Sequence, residues 1–469
     1  MKKTAKLLPL KEVMSYSLGL FGFQLIVGYL NSYQAEFYST VMAADLAIVG
    51  ALILVVRVIS ALFDPVVGNL VNRTNGKRGK LKPFILMSLV PLALLTILIF
   101  VEVPITGFGL YVYIFFTFLL FSMAMTLGDV PSNALASIAT PDPTERTNLV
   151  SISNTFRAIG LSAAAAVIPV VCILVPGGSA VIVEKGAADN AIASNEYLIS
   201  AIVIAVAGCL LFSLIYFINK ERVPYKAEKT SFKDMLVTLK GNKPFLLVVI
   251  SCFLGFGRQI QTGIAVQAAN AVMGSQNYVL IIGLTGGIGA VVSMAFMPVL
   301  IKKLGEKKVY IGMSVYGFVL SMITFFVGYG SLPVMLVLLF LTGMQFGVVN
   351  LLPVIMTADS VDYNEYKTGK RSEGTFYAVL SLTVKVTLAL GTALGLVILR
   401  FAHYEGALGG NQPDGTADIV YFAYAAVPGI FSLLSIIPIL KYDLFGKKKL
   451  EIAAELQARR QSDSEKVEN

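Results

Sequence analysis

Twelve long apolar stretches, separated by short polar loops, run along this chain of 469 residues. Each is close to the length of about 20 apolar residues that a helix needs to cross a hydrocarbon core about 30 Å thick. The pattern therefore predicts an all-α membrane protein with twelve transmembrane helices. The predicted spans are residues 14–39, 46–71, 84–102, 109–138, 149–176, 198–219, 245–272, 277–301, 308–328, 332–358, 374–400 and 417–440.

The composition and the positions of the charges add an orientation to this pattern. Hydrophobic residues make up 56% of the chain and charged residues only 14%. Most Lys and Arg residues lie in the termini and in alternate loops, whereas only Lys185 and Arg400 lie in the loops of the opposite side. By the positive-inside rule, we expect a multi-pass protein of the plasma (inner) membrane with both termini cytoplasmic.

The net charge of +9 is explained by the same loops, which we expect to contact anionic lipid headgroups. The basic character of the chain therefore does not predict nucleic-acid binding.

The spans fall into two halves that resemble each other weakly. A basic turn follows the second span of each half, at residues 73–82 and 302–308, and an acidic and basic cluster follows the fourth. Two related six-helix bundles are the plan of the major facilitator fold. We predict a first bundle over 1–219, a cytoplasmic linker over 220–244, a second bundle over 245–441 and a cytoplasmic tail over 442–469.

Several motifs are similar to those of one transporter family. The second span ends in Asp64-Pro-Val-Val-Gly and is followed by a basic turn that runs to Lys82-Pro-Phe. Asp129-Val-Pro in span 4, Ala358-Asp-Ser-Val-Asp-Tyr before span 11 and Lys385 within span 11 complete the pattern. It resembles the glycoside–pentoside–hexuronide cation symporters. The resemblance implies uptake of a sugar or glycoside, driven by H⁺ or Na⁺ through alternating access.

Charged residues within the spans are the candidates for coupling and binding, because a charge in the bilayer centre costs about 3 kcal/mol or more. Asp129, Arg157 and Lys385 lie deepest. The alternative to a functional role for Asp129 is a pair with Arg157 across spans 4 and 5 that only fixes the register of the two helices. A carboxylate beside a positive group can take up and release a cation.

The resemblance also implies individual roles. The family's cation site falls on Asp64 and Asp129, which are the candidate Na⁺ ligands; Ser60 stands where the family has a carboxylate, and Phe63 where it has an asparagine. Lys385 would be a partner of the carboxylates or would substitute for the cation. The sugar site implied by the family, together with the charged residues of the spans, comprises Gln24, Asp129, Asn133, Asn154, Arg157 and Lys385.

We expect gating contacts at the ends of the spans. The candidates are Arg57, Arg73, Asp359, Asp362 and Arg371. Glu36, near the outer end of span 1, is expected to reach the membrane interface.

Other classes of function find little support. The chain has a single histidine and no hydrolase, zinc-protease or Walker A motif, so we predict neither an enzyme nor a cofactor other than the coupling ion. The alternatives left open are an uncoupled sugar facilitator and a sugar sensor that no longer transports. We expect the protein to be a monomer, with a sugar or glycoside, a cation and membrane lipid as its partners.

Overall fold

A computed structural model gives the fold. It describes residues 8–73, 79–140, 143–165, 167–174, 194–222, 232–274, 278–369, 373–452 and 454–456. The helices are α1 Leu10–Thr40, α2 Leu46–Arg73, α3 Lys82–Ile99, α4 Phe108–Ile138, α5 Pro143–Ala164, α6 Val167–Leu174, α7 Ser194–Ile218, α8 Phe232–Gly241, α9 Lys243–Leu254, α10 Ile260–Gly263, α11 Ala265–Met273, α12 Val279–Leu304, α13 Glu306–Val327, α14 Leu332–Thr368, α15 Glu373–Phe401, α16 Thr416–Ala425, α17 Val427–Leu434 and α18 Ile436–Leu440. Short 3₁₀ turns cover Phe256–Gln259 and Gly406–Leu408.

The all-α membrane fold is confirmed. The structure does not show all twelve predicted spans as single long helices. Within the described residues, nine helices are long and apolar enough to cross a membrane, or ten if the bent pair Lys243–Leu254 and Phe256–Gly263 forms one span. The other two predicted spans are also helical there. One is divided between the more polar α5 and the short α6, and the other is α12, an apolar helix of 26 residues.

Helices suit these stretches because a helix satisfies every backbone hydrogen bond within the lipid. The longest, α14, has 37 residues and at 1.5 Å per residue measures about 55 Å, well beyond the hydrocarbon thickness. Its polar last ten residues, from Asp359 to Thr368, therefore extend past the membrane, and two of the predicted gating residues lie there.

The described chain forms two compact units. The first contains Met1–Ala227, Thr262–Leu284 and Thr392–Tyr421. In this unit α1 packs between α5 and α7, while α4 packs against α2 and α3. Small residues allow the close approach: a Cβ on Gly160 of α5 would lie 2.6 Å from the carbonyl oxygen of Phe21.

The second unit contains Glu228–Gln261, Thr285–Gly391 and Phe422–Asn469. In it α13 packs against α14 and α17, and α9 packs against α14 and α18. A buried cluster that includes Tyr310, Met356 and Tyr442 also takes in Ile452 and Leu456 of the C-terminal segment. The predicted division at 220–244 and at 442 stays a prediction, because compactness alone does not show which segments move together.

Candidate functional site

The structure brings Asp129 of α4 and Arg157 of α5 together, and this contact is compatible both with a structural pair and with a functional one. Both terminal nitrogens of Arg157 approach Asp129 Oδ1 at 3.4 Å, the long end of hydrogen-bond distance. Nη2 donates a shorter bond of 2.7 Å to Asn133 Oδ1. The two charged side chains are 24% and 20% exposed, so the pair borders open space rather than a sealed core.

The second predicted carboxylate, Asp64, lies on α2 beside two hydroxyl groups. Thr126 Oγ1 donates to Asp64 Oδ1 at 3.2 Å, and the same hydroxyl lies 3.4 Å from Ser60 Oγ. Ser60 is 4% exposed and also donates to the backbone carbonyl of Ser122 at 3.4 Å. This group of oxygen atoms joins α2 to α4.

The sequence analysis missed Thr126. It precedes Asp129 by three residues and therefore lies nearly one turn away on the same helix. That spacing was the available signal, but a neutral threonine within an apolar span is not conspicuous.

Arg57 has a neutral partner. Its Nη2 donates to Asn31 Oδ1 of α1 at 2.8 Å. The predicted gating role of Arg57 is untested, and Asn31 is a second residue that the sequence analysis did not single out.

The structure describes three further predicted binding residues. Gln24 is half-buried on α1. Asn154 is exposed on α5. Lys385 is half-buried on α15 in the second unit. Their roles stay predictions.

Of the predicted gating residues on the second half, Asp359 makes a defined contact within the second unit. Lys449 Nζ lies 2.7 Å from Asp359 Oδ2 and 2.6 Å from Glu306 Oε1. Partial burial lowers the pKa of Lys449, but the hydrogen bonds to Asp359 and Glu306 outweigh it, so the pKa is raised. Asp362 is half-buried on α14. Arg371 and the side chain of Arg73 lie outside the described residues.

The first unit contains an ion pair that the sequence analysis did not predict. Arg222 donates to both carboxylate oxygens of Glu12, at 2.7 and 2.6 Å. These hydrogen bonds from Arg222 to Glu12 raise the pKa of Arg222 despite some burial. The neighbouring Glu221 accepts hydrogen bonds from the backbone N–H groups of residues 80–82 at the start of α3.

Glu36 does not reach the membrane interface, so that expectation was wrong. Glu36 is only 1% exposed. Its carboxylate accepts hydrogen bonds from Asn270 Nδ2 at 2.5 Å and from Tyr404 Oη at 3.0 Å. The turn at Gly406 packs directly on the end of α1. Partners from residues 262–284 and 392–421, distant in sequence, therefore bury this carboxylate within the first unit.

No group of three or more His, Cys, Asp or Glu side chains suited to a metal ion occurs in the part of the chain that the structure describes. The oxygen atoms described around Asp64 include one carboxylate, two hydroxyls and a carbonyl. Such hard oxygen ligands suit a proton or an alkali cation better than a transition metal.

Comparisons with known proteins agree with this fold. The profile of a family described as MFS/sugar transport protein matches residues 15–445. The uncharacterized symporter YnaJ of Bacillus subtilis (strain 168) is 27% identical over 98% of this chain and 97% of that protein. The glucuronide carrier protein homolog of Escherichia coli (strain K12) is 26% identical over 96% of both chains. The isoprimeverose transporter of Lactiplantibacillus pentosus is 26% identical over 93% of this chain and 89% of that protein.

Solved structures add a likeness of fold. The nucleoside transporter NupG has a TM-score of 0.61 and 16% identity, over 93% of this chain and 100% of that chain. The fucose:proton symporter FucP of E. coli has a TM-score of 0.54 and 16% identity, over 92% of this chain and 99% of that chain. Such low identities show the fold alone.

The predicted major facilitator fold and the resemblance to the glycoside–pentoside–hexuronide symporters are thus confirmed, and the protein is a multi-pass membrane transporter rather than an enzyme. The chain belongs to the MFS/sugar transport protein family.

Proposed function

We propose that this protein is a secondary active transporter that imports a sugar or glycoside together with H⁺ or Na⁺ by alternating access. The observation that carries the proposal is the loose contact between Asp129 and Arg157. At 3.4 Å the guanidinium is near enough to stabilise the carboxylate, while its shorter bond goes to Asn133. Asp129 is therefore held by a partner that it can exchange.

An exchangeable partner is what coupling requires. A positive group favours the charged carboxylate, and loss of that group favours uptake of a cation in its place. If the substrate draws Arg157 away through its hydroxyl groups, Asp129 gains affinity for the cation at the same moment. Binding of substrate and cation then becomes mutually favourable, as thermodynamic linkage demands.

Asp64 with Thr126 and Ser60 is the second part of the proposed cation site. A carboxylate with two hydroxyl groups and a carbonyl offers the oxygen ligands that Na⁺ needs, and the carboxylate alone offers a site for H⁺. Ser60 adds a neutral hydroxyl where the related symporters have a carboxylate, and this reduced charge favours H⁺ over Na⁺.

The substrate class follows from the chemistry of the first unit and from the relatives. Arg157 can donate hydrogen bonds to sugar hydroxyls, and the exposed Asn133 can both donate and accept them. Relatives named as a glucuronide carrier homolog and an isoprimeverose transporter support a sugar or glycoside for this chain too.

An uncoupled facilitator is the second candidate, and Ser60 and Phe63 favour it because they leave the cation site with fewer ligands than the related symporters have. A facilitator equilibrates its sugar but cannot concentrate it. A sensor on the same fold would bind sugar without moving it.

Uptake into proteoliposomes separates these candidates. A panel of labelled sugars and glycosides is offered under an inward Na⁺ gradient, an inward H⁺ gradient or no gradient. Accumulation above the external concentration under one gradient is the expected result. Equilibration without accumulation would indicate a facilitator. Binding without entry would indicate a sensor, and neither binding nor entry would contradict sugar transport.

A further inference from the structure

The predicted spans of the second half have an unusual balance of charge. Away from the span ends, their charged side chains are Arg258 and Lys385, and both are cations. The first half, in contrast, contains Asp64 and Asp129 beside its arginines. A buried charge is costly unless an opposite charge or several hydrogen bonds accompany it, so both cations need partners other than a carboxylate of their own spans.

Arg258 is deeply buried and incompletely bonded. The residue is 5% exposed, its Nη1 donates to Ser435 Oγ at 2.9 Å, and its Nε has no hydrogen-bond partner among the described residues. Within the described part of the chain, Arg258 forms no ion pair with a carboxylate. The described residues therefore leave one donor of this guanidinium unused and its charge without a counter-charge.

A break in the span sets the position of this guanidinium. Helix α9 ends at Leu254, and the following segment is bent by 48° from it. The guanidinium lies directly against Gly255 at the break, where an added Cβ would come within 2.5 Å of Arg258 Cζ. The C-terminal end of a helix offsets about half a positive charge at most. The rest of the charge of Arg258 still needs an anion.

Arg258 lines a small cavity of the second unit, formed by α9, the 3₁₀ turn after it, α14 and α15. The cavity has a volume of about 30 Å³. One water molecule needs roughly 10–15 Å³ of such space, so the cavity admits a monatomic ion and is too small for a sugar or a sulfate ion. A water molecule in it would bond to a donor but would not neutralise the arginine.

The other polar groups of the wall are neutral, and two of them are amides. Gln259 Nε2 lies 3.5 Å from Asn350 Oδ1, and Asn350 Nδ2 donates to the backbone carbonyl of Phe346 at 2.8 Å. Each amide nitrogen carries two hydrogen atoms, so each can also donate to a bound anion. A guanidinium beside two amide donors is a suitable environment for a small anion.

We propose that this cavity binds a halide ion, chloride under natural conditions, beside Arg258. The ion neutralises the guanidinium and accepts hydrogen bonds from the amide groups of Gln259 and Asn350. Its binding stabilises the bent span, because it compensates a charge that the fold holds away from water. This inference goes beyond the proposed sugar transport and does not rest on it.

Thermal unfolding of the purified protein in potassium salts tests the site without sugar or Na⁺. Chloride replaces sulfate stepwise at constant ionic strength, because sulfate is too large for the cavity. A ligand that binds the folded protein raises its unfolding temperature. We expect a rise of about 2 °C that saturates with chloride concentration, and the same behaviour with bromide.

Variants of Arg258 assign this rise to the cavity. Arg258→Gln removes the cation, so the saturable rise should disappear. Arg258→Lys keeps the charge without the forked donors and should keep part of the rise. Lys303→Gln removes an exposed positive charge at the end of α12 and should leave the rise unchanged.

Asn350→Asp provides an independent test, because it places a carboxylate of nearly the same shape in the wall of the cavity. That carboxylate would take the place of the halide as the counter-charge of Arg258. The unfolding temperature of this variant should therefore not depend on chloride, and in sulfate alone it should be at least that of the native protein. Asn411→Asp, at an exposed position of the first unit, adds the same charge elsewhere and should keep the native response to chloride.

Three results would overturn the inference. If neither chloride nor bromide raises the unfolding temperature of the native protein, the cavity holds water alone. An equal rise in Arg258→Gln would place the halide elsewhere. An undiminished rise in Asn350→Asp would do the same, and this variant decides the question if Arg258→Gln does not fold. None of these results affects the proposed sugar transport, which the uptake measurement tests separately.

Discussion

The side-chain amide of Asn270 donates a 2.5 Å hydrogen bond to the carboxylate of Glu36, a residue 234 positions earlier in the chain. Tyr404, from a third part of the chain, donates to the same carboxylate at 3.0 Å. All three residues are almost fully buried. The end of α1 is therefore joined to the segments 262–284 and 392–421 by one polar cluster.

Glu36→Ala and Asn270→Ala should each lower the stability of the protein by about 1–3 kcal/mol, because each leaves a buried polar partner without its bond. The double variant should lose less than the sum, since both changes remove the same hydrogen bond. Unfolding temperatures of the purified variants give the comparison. Strictly additive losses would mean that the two side chains do not interact.

Gly406→Ala should destabilise the same region for a steric reason. A Cβ there would lie 2.5 Å from Ser39 Oγ and 2.7 Å from Thr40 Oγ1, so the turn would have to move away from α1. Gly283→Ala is the matched control, because no neighbouring atom lies within 4 Å of the added carbon in helix α12. Its unfolding temperature should stay the same or rise, since alanine favours a helix by up to about 1 kcal/mol over glycine. A similar response of both variants would rule out the close contact.

Lys449→Gln should loosen the C-terminal segment. The change leaves Glu306 and Asp359 without their shared cation, and both carboxylates are largely buried. Limited proteolysis at the segment after residue 446 should become faster, and Glu306→Gln in the same chain should restore part of the protection by removing one of the like charges. The raised pKa of Lys449 has a corresponding sign: this stabilisation is complete below the usual lysine pKa and is lost as the pH rises through the higher folded value. Unchanged proteolysis in the single variant would contradict the contact.

Ser60→Asp should increase the dependence of uptake on Na⁺. Ser60 Oγ lies 3.4 Å from Thr126 Oγ1, which in turn donates to Asp64, so a carboxylate at this position adds a charged ligand to the same oxygen cluster. Initial uptake rates are compared with and without Na⁺ at constant pH, with Ser153→Asp as a control at a buried serine of α5 that is bonded to its own helix. A Ser60→Asp protein that transports without any Na⁺ effect would place the cation elsewhere.

The sequence analysis identified the charged residues of the candidate site but missed neutral residues that contact them. Asp129 and Arg157 were conspicuous because charges are rare within spans, and their pairing across α4 and α5 followed from that rarity. Thr126 and Asn31 were missed because neutral side chains are common in spans, so only the fold reveals that they contact Asp64 and Arg57.

The burial of Glu36 could not be predicted from the sequence. Glu36 lies at the end of an apolar stretch, where a carboxylate ordinarily reaches water, and Asn270 and Tyr404, more than 200 residues away, bond to it in the folded protein. The break at Gly255 was missed for a related reason. A glycine within a span usually serves helix packing, and nothing local distinguishes a glycine against which a guanidinium lies.

The most direct test of coupled transport is the variant Asp129→Asn, which keeps the size and the hydrogen-bonding capacity of the side chain but cannot carry its charge. In proteoliposomes, exchange of labelled for unlabelled sugar without a gradient should continue, because the substrate site and the conformational change remain. Accumulation of sugar driven by an H⁺ or Na⁺ gradient should disappear. If the variant still accumulates sugar to the level of the native protein, Asp129 does not couple sugar to the cation and the account is contradicted.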